Sequence, residues 1–212
     1  MGGSSFIIGV VGGSGSGKTF FIDQLAKMLP EHSICQVSQD NYYKNIKDVP
    51  VDANGVENFD TLEAIDFEAF YRDIQLLQKG KQVELKEYTF NNSSKTPKSI
   101  QLIPAPIIIV EGVFSFAYQP IRELFDLKLF VEASNVVKIK RRITRDAVER
   151  GYDMKDVLYR YEHHVEPAYQ SYILPYRDSC DLIIPNSGDI SKAIELITSY
   201  LNQKLEKFSR QV

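Results

Sequence analysis

The sequence predicts an α/β fold, a parallel sheet with flanking helices, and three observations predict it. Short apolar runs alternate with longer amphipathic segments along most of the chain, as strands alternate with crossover helices. The run from Pro106 to Val110 is continuously apolar, which a strand buried on both faces requires. The run from Phe6 to Val11 leads directly into Gly12-Gly13-Ser14-Gly15-Ser16-Gly17-Lys18-Thr19, and a periodic apolar segment follows, giving strand, glycine-rich loop and helix in succession.

The elements follow in order. Phe20, Phe21, Leu25, Met28 and Leu29 are the apolar positions of the first helix, and Ile34–Ser38 is a second strand ending in Gln39-Asp40-Asn41-Tyr42-Tyr43. Pro50 and Asn54-Gly55 mark a polar loop over 44–60. A helix is expected over Thr61–Gln78, apolar at Leu62, Ile65, Phe67, Phe70, Ile74 and Leu77 and closed by Gly80. Val83–Phe90 and Ser99–Ile103 flank a polar stretch and read as a hairpin. Glu111-Gly112 ends the Pro106–Val110 strand, Asp126–Val131 is the next strand, and Ser134 caps a helix rich in Lys and Arg. Asp153–Tyr172 is a helix interrupted at Pro167, Asp181–Ile184 the last strand and Ile190–Phe208 the last amphipathic helix. With no repeat and no linker, residues 1–212 are expected to form one domain.

Composition bounds the function. A chain of 212 residues, 43% hydrophobic and 25% charged, buries a substantial core and is not of disordered type. A net charge of −3 gives no reason to expect nucleic acid or an anionic membrane surface as partner. Cys35 and Cys180 form no metal or redox pattern and read as buried thiols. No apolar run approaches the roughly 18 residues of a membrane span. The first strand begins too early for a signal peptide, and Phe6 breaks the myristoylation pattern begun by Met1-Gly2. The expectation is a cytoplasmic enzyme.

Gly12 to Thr19 fits the phosphate-loop pattern. Its glycines let successive backbone N–H groups wrap a phosphate at the positive end of a helix. Lys18 would reach the β- and γ-phosphates, and the Thr19 hydroxyl would ligate Mg²⁺. Ligands of open α/β sheets bind where strands end. Glu111 stands there and would help hold Mg²⁺. Asp40 stands there too and would accept a proton from an attacking hydroxyl. Residues 136–151 carry Lys138, Lys140, Arg141, Arg142, Arg145 and Arg150. Composition alone makes this a solvated charged face partly paired with Asp146 and Glu149. A phosphate loop in the same chain favours arginines that stabilise a transferred phosphoryl group. Tyr88 and Phe90 share a face if the strand runs through them, either around a planar ring or in core. The adjacent His163 and His164 point about 100° apart on a helix and form no chelating pair.

At these residues the chain resembles the uridine–cytidine kinase family of phosphate-loop kinases, related to phosphoribulokinase. The resemblance runs from Phe6 to about Asp189 and rests on separate blocks. These are Gly12–Thr19, Val37–Tyr43, Asn58-Phe59-Asp60, Ile109–Gly112, Arg141–Asp146, Glu149-Arg150-Gly151 and Asp181–Pro185. It implies ATP, Mg²⁺, a substrate-covering hairpin at about 81–104, a helical lid at about 140–172, and transfer to the 5′-hydroxyl of a nucleoside. Asp40 then resembles the catalytic carboxylate and Asp60 the acid that holds the ribose hydroxyls. Tyr88 and Phe90 match the aromatics on the base, and Tyr43 the aromatic after the catalytic acid. Arg142 matches a substrate-contacting arginine, Arg145 and Arg150 the lid arginines, and Asp189 the nucleotide end. Departures cluster where the base edge is read: Ser93 replaces a histidine, Tyr152 an arginine and Arg160 a glutamine. Those positions set discrimination between bases. Arg160 is expected to restore a contact to a base carbonyl that Tyr152 removes. The partner implied is a small nucleoside-like molecule, with homo-oligomers allowed because family members form them.

Two other readings stand beside pyrimidine nucleosides. One is a kinase of the same fold for a modified nucleoside, sugar phosphate or pantothenate-like compound. The other is a nucleotide-dependent switch, which the lack of an Asn-Lys-x-Asp motif and the position of Asp40 disfavour.

Overall fold

A strand that is apolar throughout has two faces to bury, and β1 (Phe6–Val11) is buried at all its positions. In the computed structural model, which describes residues 5–90, 96–146 and 153–209, β1 is the centre of a five-stranded parallel sheet. The other strands are β2 (Ile34–Ser38), β5 (Ile107–Glu111), β6 (Leu127–Glu132) and β7 (Leu182–Pro185), in the order β2-β5-β1-β6-β7. Between β2 and β5 lie β3 (Val83–Lys86) and β4 (Ser99–Leu102), an antiparallel hairpin pairing Val83 with Leu102. The helices are α1 (Lys18–Met28), α2 (Phe67–Gln78), α3 (Gln119–Arg122), α4 (Asn135–Arg145), α5 (Met154–Arg160), α6 (Glu166–Tyr172) and α7 (Ser191–Ser209).

Alternation along the strands divides the core into two layers. Ile7, Val11, Ile108, Val110 and Phe130 face α2 and α6 through Phe70, Ile74, Leu77, Ala168 and Tyr169. Ile8, Val10, Ile107, Ile109 and Leu129 face α1 and α7 through Phe21, Ile22, Leu25, Ile194 and Leu201. Phe70 is fully buried, so Phe70→Ala should cost about 3–5 kcal/mol. Gly9 is required by close approach: a Cβ there would lie 2.4 Å from the Phe125 ring. Register sets the site, because Val10 and Ser38 both pair with Glu111, so β1, β2 and β5 end together.

Several expectations change in detail. Helix α1 starts at Lys18 because Gly17, at φ 92°, caps it. Its buried stripe is Phe21, Ile22, Leu25 and Leu29, which pack on the sheet and α7, and Phe20 and Met28 are exposed. The Thr61–Gln78 helix is broken: a single turn over Leu62–Ala64 is followed by extended Ile65, which bridges Tyr43. Asp66 then caps α2 by accepting the Ala69 N–H at 3.0 Å. Strand β3 ends at Lys86, before Tyr88 and Phe90, and Phe90 has φ 53°, so strand alternation does not place those two rings. Ser134 occupies the cap of α4 without a side-chain capping bond; its own N–H donates to Ser187 Oγ at 2.9 Å. The helix after Met154 does not stop at Pro167. It widens into a π-turn over Tyr161–Val165, where Glu166 N–H reaches Tyr161 O, and this makes room for a residue without an N–H. Cys35 is buried, with burial pushing its thiol up to about 11, but Cys180 is only half-buried. Among the described residues no helix is long and apolar enough to cross a membrane.

Candidate active site

The strand ends and the basic helix enclose a cavity of about 310 Å³. Of the residues expected from the sequence, Ser14, Gly15, Gly17, Lys18, Thr19, Asp40, Tyr43, Asp60, Tyr88, Phe90, Glu111, Arg142, Arg145 and Arg160 line it. Gly12, Gly13 and Ser16 lie behind its wall in the same loop, and the Gly12 carbonyl accepts from Lys18 Nζ at 3.0 Å. Asp189 lies outside the cavity, exposed, and accepts the Ser191 N–H at 2.9 Å and hydroxyl at 3.0 Å in the turn that leads into α7. Ser93, Arg150 and Tyr152 lie outside the described residues.

The loop is braced from α4 and from the end of β7. Gly15 has φ 79°, and a Cβ there would lie 2.5 Å from the Lys138 carbonyl, so only glycine fits. Arg141 Nη1 donates to Ser16 O at 3.2 Å and its Nη2 to Asn186 O at 3.1 Å. Asn186 Nδ2 donates in turn to Ser16 O at 2.8 Å. Arg142 Nη1 donates to Ser14 Oγ at 2.9 Å, with Arg145 Nη2 3.5 Å from the same oxygen. Asp146 pairs with both, 3.2 Å from Arg142 Nε and 2.8 Å from Arg145 Nε. Helix α4 therefore buries a cationic face. Lys138 is 4% and Arg142 6% exposed, and Lys138 Nζ lies 3.9 Å from the Tyr169 ring centroid. A solvated face does not describe these two positions.

The acids meet Lys18. Glu111 is buried and accepts from Ser38 Oγ at 2.5 Å. Burial pushes its carboxyl pKa up, the neighbouring Asp40 carboxylate adds to this, and Lys18 opposes it. Burial likewise lowers the Lys18 pKa, against the pull of Glu111 and Asp40. Gln39, fully buried, accepts the Phe114 N–H at 2.8 Å and ties the end of β2 to the turn after β5. Among the described residues no group of three or more His, Cys, Asp or Glu is placed to hold a metal alone. Thr19, Asp40 and Glu111 suit Mg²⁺, which takes one or two carboxylates and completes its shell with phosphate and water. A buried, charge-crowded Glu111 is the group such a cation would relieve.

Aromatic rings form the rest of the wall. The Tyr43 centroid lies 5.2 Å from Tyr88, 5.8 Å from Phe59 and 6.4 Å from Phe90. Asn41 Oδ1 accepts the Tyr88 N–H at 3.1 Å and so fixes that ring beside the end of β2. Arg160 closes this wall with Nη1 donating to Glu57 O at 2.6 Å. Phe59, Val113 and Arg141 line the cavity without having been expected there. Phe59 was legible as the middle of Asn58-Phe59-Asp60; Arg141 was hidden among other cations, and Asn186 carries no local signal. His163 packs on Tyr159 at the surface, whereas His164 is buried against Asp52.

Comparison with known proteins agrees with this geometry. The sequence model described as the Phosphoribulokinase / Uridine kinase family matches residues 7–192. A uridine kinase of Borrelia turicatae is 35% identical over 195 residues, covering 92% of this chain and 93% of its own. Uridine-cytidine kinase B of Dictyostelium discoideum is 36% identical over 202 residues, covering 95% of this chain and 83% of its own. The solved structure of D-glycerate 3-kinase from Cryptococcus neoformans superposes with a TM-score of 0.60 at 12% identity, covering 89% of this chain and 88% of its own, which speaks for the fold alone. With a phosphate loop cradled by arginines, and relatives at this identity along almost its whole length, the chain belongs to the phosphoribulokinase/uridine kinase family and is an ATP-dependent kinase.

Proposed function

We propose that the chain phosphorylates the 5′-hydroxyl of a pyrimidine nucleoside, uridine or cytidine, to the monophosphate, a step of pyrimidine salvage. The observation that carries this reading is one cavity lined both by the phosphate loop and by Tyr43, Phe59, Tyr88 and Phe90, with Asp40 and Asp60 in its wall. Flat rings suit a nucleobase, and a carboxylate suits ribose hydroxyls. The names of the relatives point the same way.

In this reading residues 1–212 are one kinase domain, with the substrate hairpin at about 81–104 and the lid at about 140–172. ATP lies on Gly12–Thr19, and Asp189 belongs to the nucleotide end. Asp60 and the aromatics hold the nucleoside, with Ser93, Arg142, Tyr152 and Arg160 around it. Asp40 orients the attacking hydroxyl and takes its proton as the new bond forms. Lys18, Arg145 and Arg150 neutralise the oxygens of the transferred group. Thr19, Asp40 and Glu111 would hold Mg²⁺, which supplies charge neutralisation on the β- and γ-phosphates when bound. Closure of the lid excludes water as a competing acceptor.

The alternative is a kinase of the same fold for a modified nucleoside, a sugar phosphate or a pantothenate-like compound, and an acceptor already bearing a phosphate would suit Arg160 and the basic helix. The test is ADP release with Mg²⁺–ATP against uridine, cytidine, other nucleosides, pantothenate and ribulose 5-phosphate. Turnover with uridine or cytidine is expected. Turnover only with another acceptor would mean that Ser93, Tyr152 and Arg160 mark a change of substrate.

A further inference from the structure

Residues 50–58 form a small hairpin of their own. Val51 bridges Glu57, Asp52 N–H donates to Val56 O at 2.9 Å, Asn58 N–H donates to Pro50 O at 2.7 Å, and Gly55 turns the chain at φ 76°. Asp52 shapes the turn from within, because its Oδ1 accepts the N–H groups of Asn54 at 2.8 Å and Val56 at 2.9 Å. Its Oδ2 is directed at the lid helix instead. It accepts the Tyr159 hydroxyl at 2.7 Å and faces His164 Nε2 at 2.8 Å. An ionised carboxylate only accepts, so Nε2 carries the proton. Asn54 Nδ2 donates to the same Tyr159 oxygen at 2.7 Å. At the base of the hairpin Arg160 takes the Glu57 carbonyl, and Asn58 Oδ1 holds the Asp60 N–H at 3.0 Å.

The backbone of the lid is shaped for this contact. Five residues around an ideal α-helix subtend about 500°, which leaves Tyr159 and His164 about 140° apart in direction. The π-turn over Tyr161–Val165 widens the spiral, so residues five apart come nearer in phase. The Tyr161 hydroxyl, 3.1 Å from Glu166 Oε2, shows the same five-residue pairing. His164 is 3% exposed and Asp52 does not line the cavity, so the cluster lies behind the acceptor wall.

We propose that Asp52 is a positioning residue: through Tyr159 and His164 it latches the hairpin that leads into Phe59 and Asp60 onto the lid helix that carries Arg160, coupling the acceptor wall to the lid. The identity of the acceptor rests on the nucleoside reading above; the latch does not. Asp52→Ala should raise KM for the accepted nucleoside about tenfold while KM for ATP stays within about twofold. Tyr159→Phe removes one oxygen atom and keeps the ring packing, so it reads the latch even if Asp52→Ala folds poorly; it should raise the acceptor KM about threefold. Because both act on one contact, the double variant should be no worse than Asp52→Ala alone. Equal rises in both KM values, unchanged values, or additive effects overturn the proposal. Hydrogen exchange on the free chain separates it from the nucleoside reading. Both variants should speed amide exchange across 50–58 and 159–165 together. A wild-type chain inactive on every nucleoside would sink that reading alone, whereas exchange unchanged in both variants would sink the latch.

Discussion

Asp146 offers the sharpest energetic test. It is 1% exposed, with one oxygen 2.8 Å from Arg145 Nε and the other 3.2 Å from Arg142 Nε. Those guanidiniums reach Ser14 in the phosphate loop, so this carboxylate sets the direction of two cations over the site. Asp146→Ala deprives Arg142, itself 6% exposed, of this counter-charge. Deleting one partner of a buried pair costs about 3–5 kcal/mol. That is a large share of a total stability of about 5–15 kcal/mol. For a chain of this size each kcal/mol moves the midpoint by about 2–4 °C, so the unfolding midpoint should fall by about 6–20 °C. Asp146→Asn retains an acceptor and should fall less. Thermal unfolding by circular dichroism at pH 7 reads the first effect. Steady-state kinetics reads the second, a drop in kcat of at least about tenfold as Arg145 loses its orientation. A midpoint within about 2 °C of wild type together with an unchanged kcat would refute the reasoning.

Glu111→Gln should stabilise the ligand-free chain and impair catalysis. The folded state raises the pKa of Glu111 by burial, so holding it ionised at neutral pH opposes folding, and a neutral side chain removes that opposition. A lower midpoint, or a kcat that falls less than about tenfold, would contradict this assignment. Arg160→Ala should raise KM for the nucleoside far more than for ATP, and equal small effects on both would remove Arg160 from the acceptor wall. For Asp52 the sign is opposite to that of Glu111. The Tyr159 hydroxyl first, then the Val56 N–H, hold its carboxyl well below the usual range. Its contribution to stability is therefore present above its unfolded pKa of about 3.9 and is lost as pH falls below that. The midpoint difference between wild type and Asp52→Ala should persist at neutral pH and shrink below about pH 4, and a difference that grows on acidification would be the wrong sign.

Much of this was legible in the sequence because the signals were local. The β1 run, the glycine loop and the first residues of α1 are contiguous, and their pattern demands one geometry. The apolar β5 run placed Glu111 at a strand end, where the register with Val10 and Ser38 brings it to the loop. Long-range contacts left no such trace. Asn186 reaches Ser16 across 170 positions, and Asp52 reaches His164 across 112. Local periodicity misled at the edges of a helix face and where a special backbone intervened. In α1 the face that packs on the sheet runs through Phe21, Ile22 and Leu25, so Phe20 and Met28 at its edges fell outside the buried stripe. The Asp66 cap split the expected Thr61–Gln78 helix, and the left-handed Phe90 ended strand alternation before the aromatic wall. Lys138 and Arg142 read as a solvated pair because their burial depends on Tyr169 and Asp146, which composition does not weigh. The fold leaves the acceptor open, since a D-glycerate kinase shares it.

The measurement that bears most directly on the central claim is kcat for Asp40→Asn, taken with the preferred nucleoside alongside ATP affinity by titration. If Asp40 takes the proton of the attacking hydroxyl, kcat should fall by about 10²–10⁴-fold with ATP binding held within about threefold. A variant that retains kcat within a few-fold would place the proton elsewhere and contradict the account.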